Sequence, residues 1–328
     1  MKLLVCGGAG FIGSAFVRVR VDEHGDEVRV LDKLTYAGRE ENLRGVEHEL
    51  VVAGIEDPEA VAGAMEGCDA VVNFAAETHV DRSIAEPDAF VRTHAMGTYV
   101  LLEEVRRRAL RFVQVSTDEV YGSIASGTFT EESPLAPSSP YSATKAGADL
   151  LVLGYVHTYR IEALVCRGSN NYGPRQYPEK LIPLMVLNAL HGDPLPVYGD
   201  GMQVRNWIWM EDFARAIGTV LDSGVPGEVY NAGGPDEKPN LEVVHALLEL
   251  TGQDASLIEY VVDRPGHDRR YSLSSEKVRG LGWEPRVRFD DGLARTVDWY
   301  RENTWWWEPI RSGAYREYYE RQYGRALG

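Results

Sequence analysis

A chain of 328 residues, 44% hydrophobic and 26% charged, carries enough apolar content for a large core, expected in two lobes. Its formal net charge of -16 argues against a nucleic-acid surface, so anionic ligands must be met by local arginines and backbone amides. The longest apolar stretches fall short of the roughly 20 residues a bilayer span needs. Met1-Lys2 leads into a strand-like run instead of a signal peptide, so a cytoplasmic protein without a membrane partner is expected.

The first predicted strand, Leu3–Cys6, runs into Gly7-Gly8-Ala9-Gly10-Phe11-Ile12-Gly13, which opens a helix. That is the strand-turn-helix context of a dinucleotide fingerprint, with phosphates at the helix N-terminus. Read from Gly7 the spacing is G-x-x-G-x-x-G, and read from Gly8 it is G-x-G-x-x-G; a glycine turn in another α/β protein is the alternative. A second strand, Val28–Leu31, ends at Asp32, where an acidic residue meets the adenosine ribose hydroxyls. A carboxylate there repels a 2'-phosphate and favours NAD over NADP, although adjacent Lys33 could pair with one.

Further strands are expected at Glu49–Val52, Ala70–Phe74, Phe112–Ser116 and Ala163–Arg167, with helices between them. The alternation predicts a doubly wound parallel Rossmann sheet, whose ligands gather at the carboxyl ends of strands. Asn73–Glu77 and Ser116–Glu119 fall at such ends. After Arg167 the chain becomes rich in Pro and Gly, as in Gly192-Asp193-Pro194-Leu195-Pro196, which suits a smaller substrate lobe. Gly227–Asn231 reads as a strand returning to the sheet. The expected division is therefore 1–167 plus about 205–235 for the cofactor domain, and 168–204 with 236–328 for an interleaved substrate lobe. Cys6, Cys68 and Cys166 lack metal-ligand spacing and sit in apolar contexts, so buried thiols and no metal are expected.

The most informative pair is Tyr141 and Lys145, four apart in Pro140-Tyr141-Ser142-Ala143-Thr144-Lys145. On a helix they share a face, and positive charge from Lys145 and an oxidised nicotinamide lowers a phenol pKa from its usual value of about 10. Alone, Tyr-x-x-x-Lys also describes an exposed helix pair. Ser116-Thr117-Asp118-Glu119-Val120-Tyr121-Gly122 adds adjacent acids after a strand, which otherwise read as a solvated loop pair.

Together these segments resemble the extended short-chain dehydrogenase/reductase family, and within it the dTDP-glucose 4,6-dehydratases. The likeness extends through Phe74–Ser83, Asn170–Pro174, Pro178–Pro183, Asp263–Tyr271 and Trp299–Asn303, and so covers nearly the whole chain. The glycines and Tyr-x-x-x-Lys indicate only the superfamily. Thr117-Asp118-Glu119 with the Arg264–Tyr271 run is more specific, because sister epimerases lack the adjacent acid pair.

The resemblance implies that Tyr141 takes the proton of the sugar 4-hydroxyl as hydride leaves C4 for NAD. Glu119 then removes the C5 proton while Asp118 protonates the 6-hydroxyl, water departs, and hydride returns to C6. Thr117 hydrogen-bonds the sugar. NAD is held by Gly7, Gly10, Phe11, Ile12 and Gly13, by Asp32, Lys33, Thr35 and Ala75, and by Tyr141 and Lys145. His79, Asn170, Glu179, Lys180 and Leu181 are implied around the sugar and its phosphates. Arg205, Asn240, Arg264 and His267 lie toward the diphosphate and nucleoside of dTDP-glucose, a task suited to planar guanidinium groups. A homodimer is expected, and Trp305-Trp306-Trp307 reads as carboxy-terminal packing before a base-stacking platform.

Three positions depart from the family pattern. Ala53-Gly54-Ile55 replaces Gly-Asp-Ile, so the carboxylate expected at the adenine amino group is missing; His94 stands for an asparagine; Cys6 stands for a threonine. A redox-only or epimerising nucleotide-sugar enzyme and a non-catalytic nucleotide sensor are the alternatives.

Overall fold

The computed structural model describes residues 1–263 and 265–324. In chain order the strands are β1 (Lys2–Cys6), β2 (Glu27–Asp32), β3 (Glu49–Val52), β4 (Ala70–Asn73), β5 (Arg111–Thr117) and β6 (Ala163–Gly168). They continue with β7 (Asn170–Tyr172), β8 (Leu195–Tyr198), β9 (Val204–Trp209), β10 (Val229–Ala232), β11 (Asp236–Pro239) and β12 (Ile258–Val261). Among the described residues, seven strands form one parallel sheet in the order β10-β6-β5-β4-β1-β2-β3. The order reverses between β1 and β4, the switch point beside which ligands bind in open α/β sheets. Each strand expected in the sequence is present, within a residue or two at its ends.

The strands of this sheet are apolar on both faces, as a sheet covered by helices requires. One layer packs Leu3, Val5, Val30 and Val72 under the Phe11–His24 and Met210–Ser223 helices. The other packs Leu4, Cys6, Leu31 and Val71 under the Thr98–Arg108 and Pro140–Tyr159 helices. Cys6, Cys68 and Cys166 are buried free thiols, and burial pushes all three up, away from thiolate reactivity.

After β6 the chain leaves the sheet. β7, β9 and β11 form a second sheet in the order β11-β9-β7, and β8 pairs with β12. Their core is aromatic, with Tyr172, Trp207, Trp209, Phe289 and Tyr300 packed around Trp306 and Trp307. Trp306 also ties the lobes together: its indole N–H donates to Asn42 Oδ1 at 2.8 Å, and Arg39 donates to its carbonyl at 2.8 Å. Val204–Trp209 thus belongs to the small sheet, whereas β10 rejoins the large one in parallel beside β6. Among the described residues, no helix is long and apolar enough to cross a membrane.

Candidate active site

One cleft opens above the carboxyl ends of β1, β2, β4 and β5, and the proposed cofactor and acid-base residues all line it. The glycine run forms its floor. Gly7 has φ +73°, and a Cβ there would lie 2.5 Å from the Ala75 nitrogen; a Cβ on Gly13 would lie 2.2 Å from the Gly7 carbonyl oxygen. Only glycine allows this approach. Phe11–His24 begins with no side chain on its first amides, leaving them to meet a pyrophosphate.

Asp32 closes the next stretch. Its carboxylate accepts from the Ala9 amide at 3.0 Å and the Leu34 amide at 2.9 Å. Burial pushes this carboxyl up, and those two amides pull it back. Lys33 is committed to protein carboxylates, with Glu77 at 3.0 Å and Glu56 at 4.0 Å. It therefore brings no spare charge for a 2'-phosphate, which favours NAD on electrostatic grounds. Glycine cradle, open helix terminus and ribose-facing carboxylate together fit a dinucleotide.

Tyr141 and Lys145 stand on the Pro140–Tyr159 helix, which starts where it does because Ser139 and Ser142 form a reciprocal cap with Pro140 in the first turn. Lys145 is 4% exposed, and its ammonium donates to the Val115 carbonyl at 2.6 Å. Burial pulls it down to about 8, against the opposing charge of Asp149. Burial first and Glu119 second push the Tyr141 phenol up, while a hydrogen bond with Thr117 pulls it down. Lys145 alone does not outweigh the desolvation of a phenolate in this dry wall.

Thr117 caps the short turn Asp118–Tyr121, accepting from the Glu119 amide at 3.3 Å and donating to Asp118 Oδ1 at 3.2 Å. Asp118 is 2% exposed, and its Oδ2 has no partner among the described residues. Burial, then the neighbouring Glu119, push its carboxyl up to about 8, partly offset by Arg205. The two acids are thus unequal by placement. Asp118 is held protonated near neutrality, and Glu119 beside it is less deeply buried.

The residues expected to bind substrate separate into groups. Asn170 and Lys180 line the cleft, with Lys180 donating to the Thr78 carbonyl. His79 is buried at the start of the Val80–Ala85 helix. Glu179 is buried next to them: Oε1 accepts from Tyr36 at 2.9 Å and Oε2 from Arg82 at 3.1 Å. Leu181 packs against the aromatic core of the small lobe. Beyond the acid pair, Arg205 lies over the Tyr271 ring at 4.3 Å and donates to the Asp268 carbonyl at 2.9 Å. Asn240 begins the Asn240–Thr251 helix with a buried Oδ1 that has no partner among the described residues, and His267 pairs with Asp263 at 2.6 Å. Arg264 lies outside the described residues.

Asp149 and Arg167, not singled out as site residues in the sequence, and His94 also shape the site. Asp149 and Arg167 form an ion pair at 2.8 Å behind Lys145, with side chains 0% and 3% exposed. Ser116 donates to the same carboxylate, and Arg167 donates to Tyr121. Asp149 follows Lys145 by four residues, so the helical spacing that links Tyr141 to Lys145 could have found it. His94 packs edge-on to Tyr141 and shares a 2.8 Å hydrogen bond with Thr144. Burial, then Lys145, hold its imidazole well below its usual value and hence neutral.

Comparison with known proteins bears on this arrangement. A family model described as GDP-mannose 4,6 dehydratase matches residues 4–296. A dTDP-glucose 4,6-dehydratase of Streptomyces niveus is 51% identical, with 95% of this chain and 96% of the relative covered. The crystal structure of DesIV, a dTDP-glucose 4,6-dehydratase from Streptomyces venezuelae with NAD and TYD bound, superposes with a TM-score of 0.92 at 52% identity, covering 94% of this chain and all of that one. A Thermus thermophilus UDP-glucose 4-epimerase in complex with NAD shares the fold at 32% identity and a TM-score of 0.87, over 92% of this chain and all of the epimerase.

Proposed function

Because the chain belongs to the GDP-mannose 4,6 dehydratase family, within the extended short-chain dehydrogenase/reductase fold, we propose that it is an NAD-dependent dTDP-glucose 4,6-dehydratase. It yields dTDP-4-keto-6-deoxyglucose and water with no net consumption of NAD, in deoxysugar biosynthesis. The observation that carries this is the buried, proton-holding Asp118 beside Glu119 in the cleft that holds Tyr141. An enzyme that only oxidises or epimerises at C4 has no use for a second acid.

Bound NAD supplies a hydride acceptor and a positively charged ring. Tyr141, ionised with the help of Lys145 and that ring, accepts the 4-hydroxyl proton and becomes the neutral phenol, while Thr117, hydrogen-bonded to Tyr141, holds the sugar oxygen. Once C4 is a ketone, the C5 proton is acidic, and Glu119 is the group placed to take it. Asp118 delivers its proton to O6, so that water leaves instead of hydroxide. Asn170 and Lys180 orient the sugar and the first phosphate, and Arg205 lies on the way to the diphosphate. The mass and label of the product test the reading: deuterium at C4 of dTDP-glucose is expected at C6 of a product lighter by one water. Recovery of the label in solvent, or a product of unchanged mass, overturns it.

The division of labour follows the sheets. Residues 1–168 with 210–232 hold the cofactor, and β7, β8, β9, β11 and β12 with the carboxy-terminal helices hold the nucleotide sugar. The homodimer reading is supported by Ala143, Gly147, Leu150 and Gly154, which share an outward face of the Tyr141 helix. Among the described residues, nothing beyond the helix's own backbone and the adjacent residues lies within 4 Å of a Cβ at either glycine, and Leu150, Tyr99 and Met96 are 45–58% exposed. The three buried thiols support a reducing, cytoplasmic setting.

A further inference from the structure

The family carboxylate missing at position 54 leaves a question that the geometry of β3 answers. β3 lies at the edge of the sheet next to β2, with Val52 in register with Asp32. Beyond β3 the chain turns sharply, the Asp57 amide bonding the Gly54 carbonyl at 3.3 Å. This turn folds the Glu56 side chain back over Gly54. A Cβ on Gly54 would lie 2.5 Å from Glu56 Oε2 and 2.7 Å from Oε1. Gly54 is not among the glycines with positive φ, so its backbone conformation does not call for glycine. What calls for glycine there is the carboxylate lying on it.

Resting on the NAD reading above, we propose that Glu56 is the adenine-recognising acceptor of this enzyme, and that Gly54 is the vacancy which lets it reach. Pyrophosphate on the glycine run and ribose on Asp32 leave the base on the far side of β2, toward residues 53–56. Glu56 lines the cleft there, with its side chain 39% exposed and therefore open to a ligand. The Lys33 ammonium, 4.0 Å from Oε1 and itself held by Glu77 at 3.0 Å, steadies the carboxylate from behind. A carboxylate can only accept hydrogen bonds. It therefore prefers the amino group of adenine to a carbonyl at the same ring position. Exchanging one neighbour for another keeps the charge and changes its point of attachment, so Gly54 and Glu56 form a compensated pair.

The experiment is calorimetry of cofactor-stripped protein with NAD and with nicotinamide hypoxanthine dinucleotide, whose base carries a carbonyl in place of the amine. The parent is expected to bind NAD about tenfold more tightly than the hypoxanthine dinucleotide, as for a partly exposed charged hydrogen bond. Glu56→Ala is expected to weaken NAD binding by about tenfold and to erase the discrimination, with the hypoxanthine affinity unchanged or improved. Gly54→Asp alone pushes two carboxylates together and weakens binding, whereas Gly54→Asp with Glu56→Ala recovers NAD affinity and discrimination. If Glu56→Ala leaves the NAD to hypoxanthine ratio at its parental value, Glu56 is not the acceptor. If the parent binds neither dinucleotide, it is the NAD reading that fails.

Discussion

Charged groups in the wall of the cleft and in the segment that borders the small sheet are kept in opposite ways. In the wall, Asp118, Lys145 and Asp149 are at most 4% exposed, and burial is the first cause of each displaced proton affinity. In the bordering segment, Arg269 pairs with Asp200 at 2.8 Å with both side chains more than half exposed, and Arg270 spans to Glu237 at 2.9 Å. The first pair is solvated and the second, with side chains 22% and 32% exposed, partly so; on the reading proposed above a diphosphate would compete for them. The contrast assigns reactivity to desolvation in one region and affinity to replaceable charge in the other.

The sharpest way to break this contrast is to alter the wall. Tyr141→Phe removes the base for the first step and is expected to lower the rate of sugar oxidation by about 10²- to 10⁴-fold, read as the single-turnover rise of bound NADH. Asp118→Asn and Glu119→Gln should leave that rise intact and slow water loss by a similar factor, so that NADH accumulates. Parental turnover in both carboxamide variants would make the acid pair structural.

Next in size is the support behind the wall. Arg167→Met strips the buried Asp149 of its charged partner, and loss of one member of such a pair costs about 3–5 kcal/mol. Denaturant unfolding should show that loss, and an unchanged midpoint would place Asp149 in contact with water.

The proton on Asp118 gives a pH test. Its carboxyl is raised from 3.8 to about 8, so the acid form needed for water loss is present below about 8 and falls tenfold per unit above it. Lys145, pulled down to about 8, loses its charge in the same window. For stability the sign follows from a raised folded-state value. The contribution of Asp118 is fully present below pH 3.8, where both states carry the proton, and is lost as pH rises to about 8. Asp118→Asn should therefore melt at a higher temperature than the parent at pH 7, and the gap should close at pH 4. A gap that persists at pH 4 would show that charge burial is not its source.

The smallest effect belongs to the solvated region. Arg270→Ala should raise KM for dTDP-glucose a few-fold, more so at low salt, with kcat and melting temperature nearly unchanged. A matching fall in kcat would mean that this segment also shapes the wall.

Much of the wall was legible because its residues act through local patterns. The glycine run, Asp32, Thr117-Asp118-Glu119 and Tyr141 with Lys145 are each set by a strand end or a single helix face, which short spacing encodes. The partners of Glu179, Tyr36 and Arg82, lie 143 and 97 residues away, so only the folded chain shows that both of its oxygens accept hydrogen bonds. The commitment of Lys33 to Glu77 and the fold-back of Glu56 onto Gly54 were hidden for a related reason. A side chain's direction at a strand end depends on turns that composition does not specify. The upward push of burial on Tyr141 was hidden as well, because spacing reports neighbours, whereas proton affinity also reports the water removed.

The return of β10 to the large sheet has a consequence for synthesis. Every cofactor contact proposed here precedes residue 169, yet β6 has its outer neighbour only when residues 229–232 have left the ribosome. At about 5–20 residues per second, roughly 3–12 s separate synthesis of the last of those contacts from synthesis of β10, an interval in which β6 has an open edge of backbone amides and carbonyls. Dinucleotide captured in that interval would stabilise the half-built sheet by mass action, making the cofactor a participant in the birth of the protein as well as in its turnover.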